Sequence, residues 1–134
     1  MKILFKPQTE WLPPQDFPDL SKYDEIAIDL ETKDPNLGKR MGSGSVVGEG
    51  DVVGISLATH DWCAYYPIAH EGGGNMDRKM VLKWLQDQLN TPSTKIFHNA
   101  MYDVCWIRAL GLKINGKIVD TMIAASLVDE NRFR

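Results

Sequence analysis

The chain has 134 residues, 43% apolar, 25% charged and 9% aromatic, with a formal charge of −3. That length suits one domain with a continuous core, and the composition excludes a disordered tail, a collagen-like repeat and a disulfide-rich secreted scaffold. The slight acidity argues against nucleic-acid binding through a mainly basic surface, though not against binding of phosphate through metal ions. No apolar run reaches the length of a membrane span. The start, Met1 to Pro7, is too short and too soon interrupted to be a signal peptide. Cys63 and Cys105 form no C-x-x-C pair, and His60 near Cys63 makes no zinc-type cluster, so reduced thiols in a cytoplasmic setting are expected.

In chain order, residues 1–22 read as an N-terminal arm carrying Pro7, Pro13, Pro14 and Pro18, with Trp11, Leu12 and Phe17 as its anchors. Residues 23–134 read as a single domain. Ile26 to Leu30 has strand length and composition. Asp34 to Gly50 is rich in glycine and predicts a mobile flap. Val52 to Thr59 and Trp62 to Ile68 are two strands, joined at His60-Asp61 as an antiparallel hairpin. Asn75 is expected to cap a helix over about Met76 to Leu89, with Met80, Val81, Trp84, Leu85 and Leu89 as its inward stripe. Arg78, Lys79 and Lys83 would form its solvated face, and His60 and His70 would lie on the surface. Lys95 to Phe97 is a short strand. Asn99 would cap a second helix through Leu110, with Gly111 at its end. Ile118-Val119 makes a last strand, and Thr121 to Val128 a third helix. The order predicts an α/β fold with a mixed sheet: an antiparallel meander followed by β-α crossovers.

Two constellations could carry chemistry. Asp29 and Glu31 are two apart at a strand end, so they share a face and repel each other, which a hard divalent cation between them would relieve. An acidic strand end leaving the core has the same spacing. The other constellation is His98-Asn99-Ala100-Met101-Tyr102-Asp103. Asp103 falls on the stripe of Trp106, Ile107 and Leu110, where an uncompensated carboxylate is costly. The helix macrodipole accounts for an acid in the first turn but not for one on the inward face. A carboxylate reaching a metal held by Asp29 and Glu31 accounts for both.

Ile28-Asp29-Leu30-Glu31-Thr32 and His98 to Asp103 resemble the first and second motifs of the DEDD 3′–5′ exonuclease superfamily. The spacing of Asn99 and Asp103, with Tyr102 just before the Asp, is similar to the proofreading domain of family A DNA polymerases. Tyr65 to Asn75 resembles the strand-to-helix turn of phage-type members. Val52 to Ser56 and Val119 to Met122 resemble their second strand and the start of their third helix, so that the resemblance runs from about Tyr23 to the end of the chain. The resemblance implies a ribonuclease H-like fold and hydrolysis of the 3′-terminal phosphodiester of single-stranded DNA with two Mg²⁺ or Mn²⁺ ions. Asp29, Glu31 and Asp103 would be the catalytic carboxylates and metal ligands. Thr32, Asn99, His98 and Tyr102 would contact nucleic acid, and Leu37 or Met41 would wedge the terminal base. A polymerase domain in the parent protein and a bacterial host cytoplasm follow from the same likeness.

The family also needs a fourth carboxylate on a later helix, with a Tyr or His before it. Asp129 and Glu130 lie in the wrong place for it, and Asp120 matches a position that caps a helix. The chain is therefore expected to be C-terminally incomplete and feeble alone. The rival readings are a catalytically dead nucleic-acid-binding module of the same fold and a related RNA 3′–5′ exonuclease.

Overall fold

The computed structural model describes residues 11–131. Five strands form one sheet in the order β3-β2-β1-β4-β5. The strands are β1 (Glu25–Lys33), β2 (Asp51–Ala58), β3 (Cys63–Pro67), β4 (Thr94–Phe97) and β5 (Ile118–Asp120). The helices are α1 (Pro35–Gly38), α2 (Arg78–Leu89), α3 (Ala100–Ala109) and α4 (Thr121–Val128). β1, β2 and β3 pair antiparallel, whereas β4 runs parallel to both β1 and β5. This is the expected meander followed by crossovers.

Alternation along β1 sends Ile26, Ile28 and Leu30 into the core, and Ala27, Asp29 and Glu31 to the opposite face. Ile55 and Leu57 of β2 join the core side, which α2 covers with Val81, Trp84, Leu85 and Leu89, and α3 with Trp106 and Ile107. Burying side chains of this size contributes about 1.5–3 kcal/mol each. Met80, expected on the inward stripe of α2, is exposed. Asp77, not Asn75, caps α2, its carboxylate accepting from Met80 N–H at 2.9 Å.

Of the expected arm anchors, Phe17 stacks on Tyr66 at 5.7 Å and meets Trp84 edge-on. Pro18 and Leu20 are fixed through the Trp84 indole N–H and the Gln88 side chain. Leu12 stands in solvent, and Trp11, although exposed, touches the Tyr65 ring. Pro7 lies outside the described residues. Both cysteines are free thiols, and no helix among the described residues is long and apolar enough to cross a membrane.

Candidate active site

β4 pairs with β1 only as far as Ala27 opposite Ile96. From Ile28 onward the β4-side edge of β1 has no strand beside it, and the start of α3 falls there. Asp103, only 3% exposed, directs its carboxylate at the Leu30 N–H on that edge. Burial first, then the negative charge of Asp29, push its carboxyl up to about 7, and the Leu30 N–H only partly offsets them. A buried acid facing a second carboxylate is an arrangement that a cation would relieve.

Asp29 and Glu31 are exposed on β1. Asp29 lines a groove of about 840 Å³ floored on its face of the sheet by the small side chains Ala27, Ser56 and Ala58, with His98 also lining it. His98 is exposed, and its Nδ1 lies 3.0 Å from the Thr121 hydroxyl. Among the described residues no group of three or more acidic, histidine or cysteine side chains is arranged so that it could hold a metal ion. Asp103 senses Asp29 across the edge of β1, while Glu31 stands one alternate position further along the same strand.

Thr32 and Tyr102 meet directly, their hydroxyls 2.8 Å apart. The Tyr102 hydroxyl also lies 3.0 Å from Asp34 Oδ2, to which it donates. Asp34 in turn accepts from Asn36 N–H and, through both oxygens at 3.1 Å, from Gly44 N–H. Burial pushes this carboxyl up, yet the bonds from Gly44, Tyr102 and the α1 amides hold it below the usual Asp range. The glycine-rich segment expected as a mobile flap is therefore a built loop. It contains α1 and a 3-10 turn at Gly44–Val46, and it is clamped to α3. Gly44 must be glycine, because a Cβ there would fall on the Glu49 carbonyl. Leu37 and Met41 project from this loop into solvent, separate from the groove beside Asp29.

Asn99 does not cap α3 with its side chain. It adopts a left-handed backbone (φ 69°), and Asp120 takes over the cap. Asp120 accepts from Asn99 N–H at 3.0 Å, Ala100 N–H at 2.9 Å and Met122 N–H at 2.9 Å. One carboxylate thus caps α4, as expected, and closes the start of α3 as well. Burial raises its carboxyl, and these N–H groups outweigh that and hold it low.

Sequence reasoning gave Tyr65 no site role and placed His70 on the surface. The Tyr65 hydroxyl is hydrogen-bonded to His70 Nε2, so His70 is half-buried rather than a surface residue. The available signal was Gly54, a glycine inside a strand, which marks close approach of another group.

A profile of the 3′–5′ exonuclease family matches residues 17–133. Over 110 residues the chain is 32% identical to a DNA-directed DNA polymerase of Pseudomonas phage M6, covering 78% of this chain and 16% of that protein. It is 32% identical over 84 residues to DNA polymerase I of Chloroflexus aurantiacus, covering 61% of this chain and 9% of that protein. The chain therefore spans less than a fifth of the length of these two polymerases. Brucella melitensis NrnC with bound Mg²⁺ superposes with a TM-score of 0.57 at 20% identity, covering 92% of this chain and 53% of that one. The Aedes aegypti Nibbler EXO domain gives 0.57 at 19% identity, covering 87% and 51%. These two matches establish the fold: the five-stranded mixed sheet with flanking helices of the ribonuclease H-like DEDD exonucleases. The chain belongs to the 3′–5′ exonuclease family that includes the exonuclease domains of family A DNA polymerases, those of phages among them.

Proposed function

We propose that the chain is the proofreading exonuclease domain of a DNA polymerase, acting on the 3′ end of single-stranded DNA. The observation that carries this reading is Asp103. It is a buried carboxyl at the open edge of β1, raised to about 7 by burial and by Asp29, and it has the electrostatics of a group awaiting a cation. The 32% identity to polymerases supports DNA as the substrate.

Asp29, Glu31 and Asp103 would hold Mg²⁺ or Mn²⁺, with oxygen ligands of the hardness those ions take. Such ions supply Lewis acidity toward the scissile phosphate and the attacking water. Asp103 would hold the ion as a carboxylate, so binding would be linked to loss of the proton that this carboxyl keeps in the metal-free chain. Thr32 and Tyr102 fix the end of β1 against α3, and Asn99 and His98 stand at the start of α3 to contact the terminal nucleotide. Leu37 or Met41, exposed on the clamped loop, would contact its base.

The expected result is Mn²⁺-dependent release of 3′ mononucleotides from a single-stranded DNA oligonucleotide. Turnover by the 134 residues alone should be slow, because only three of the required carboxylates are matched. Asp29→Ala and Asp103→Ala should each lower the rate at least 100-fold, and full parental rates in both would sink the site assignment. A single-stranded RNA arm separates the related RNA activity by its 2′-hydroxyl. Binding of DNA ends with no turnover at millimolar Mn²⁺ would mark a docking module instead.

A further inference from the structure

Tyr65 and His70 are used by none of the roles above, yet the sheet places Tyr65 beside Glu31, and His70 is bonded to Tyr65. In the strand register Asp29 stands opposite Ser56, and Ser56 opposite Tyr65. In the neighbouring row Glu31 stands opposite Gly54. Residues paired across an antiparallel sheet share a face, so the Tyr65 side chain lies on the face of Asp29 and Glu31. Its ring reaches diagonally into the Glu31 row. A Cβ on Gly54 would fall on the phenol oxygen, so the hydroxyl occupies the space that a side chain opposite Glu31 would otherwise fill. The phenol also registers the neighbour: burial first, then the negative charge of Glu31, push it above the ordinary Tyr range.

On its other side the hydroxyl is held by His70 Nε2, and His70 is itself fixed. The Asn75 amide accepts from His70 N–H at 2.7 Å and donates to the His70 carbonyl at 2.8 Å. The adjacent Glu71 pairs with Lys33 at the end of β1. The turn after β3 is thus tied to the strand that carries the carboxylates.

We propose that Tyr65 is a positioning residue for Glu31, with His70 holding the phenol so that its hydroxyl can donate to the Glu31 carboxylate. In the tautomer with hydrogen on Nε2, His70 donates to the phenol oxygen and leaves the phenol hydrogen free for Glu31. Donors of this kind orient a carboxylate ligand and set its affinity for a metal. Gly54 has its part in this, since any larger residue expels the hydroxyl. The inference rests on the carboxylate reading of the site.

The test is calorimetric titration of Mn²⁺ into the 134-residue chain, with the melting temperature measured separately in metal-free buffer. The parent should bind Mn²⁺, and Asp29→Asn should abolish the binding. Tyr65→Phe keeps the ring over Gly54 and should weaken binding about 10-fold with the metal-free melting temperature unchanged. His70→Ala should weaken it similarly, and His70→Gln, which retains a donor, should restore most of the affinity. Parental affinity in Tyr65→Phe overturns the proposal while leaving the carboxylate reading standing. So does a loss of affinity that tracks a fall in melting temperature and is not restored in His70→Gln. No Mn²⁺ binding by the parent, or undiminished binding in Asp29→Asn, removes the carboxylate reading and this inference together.

Discussion

At neutral pH a substantial share of folded, metal-free molecules keep a proton on Asp103, because its carboxyl is raised to about 7 by burial and by Asp29. In the unfolded chain the same group titrates near 4. Between those values the folded state binds more protons than the unfolded one, so this residue's contribution makes the fold less stable as pH rises from about 4 to 7. Asp103→Asn should therefore stabilise the metal-free chain at pH 8, on the order of 1–3 kcal/mol, and be neutral near pH 4. Urea denaturation in EDTA at the two pH values checks this. Metal binding must displace that proton, so Mn²⁺ affinity should rise between pH 6 and pH 8 and lose most of that rise in Asp103→Asn. The inward position of Asp103 could be read from helical spacing alone. Its partner Leu30 N–H could not, because that donor is free only where β4 diverges from β1.

The glycine-rich loop is an element whose order depends on one carboxylate. Asp34→Ala removes the acceptor of Gly44 N–H and the partner of the Tyr102 hydroxyl. It should cost about 1–2 kcal/mol, with limited proteolysis appearing first within residues 36–50. β4 depends on a polar group of another kind. Lys95 is fully buried, its ammonium donating to the Thr91 and Ser93 carbonyls and the Thr91 hydroxyl. Burial lowers its pKa. Lys95→Met would leave those carbonyls unpartnered and should cost about 1–3 kcal/mol, visible as a lower denaturation midpoint with unchanged slope. The five strands and the helices α2, α3 and α4 were legible at this scale from alternation and from three-and-four spacing, to within a residue or two at most ends, whereas α1, a single turn inside the glycine-rich segment, was not. The caps were not. Asn75 and Asn99 are ordinary capping residues by type, but Asn75 is engaged by His70 and the role at α3 passes to Asp120, which is distant in sequence. Sequence proximity carries no information about such long-range substitution.

Across the whole molecule the two faces of the sheet differ. α2 and α3 bury one face, whereas the other carries the groove beside Asp29. On the adjoining α4, Leu127 is 82% and Val128 85% exposed. An apolar surface of this kind favours association. Light scattering should show self-association that grows with concentration, and Leu127→Lys with Val128→Lys should reduce it while leaving the melting temperature nearly unchanged. The mixed topology was legible from element order, since a hairpin followed by β-α repeats leaves few alternatives. Which face would stay open was not, because α4 has an apolar sequence yet buries none of its residues among those described.

β1 is central in the sheet, with β2 on one side and β4 on the other, and this has a kinetic consequence. The β2 pairing closes a short stretch of chain, whereas Ala27 finds Ile96 only after α2 has been traversed. Closing so long a segment is entropically slow. During refolding the meander bearing Asp29 and Glu31 should gain hydrogen-exchange protection early. The amides of β4 and the first turn of α3 should gain it in a later phase, and with them Asp103 reaches the other two carboxylates. Metal affinity should then emerge with the slow phase, even though two of the three acidic side chains sit in the segment that is protected first.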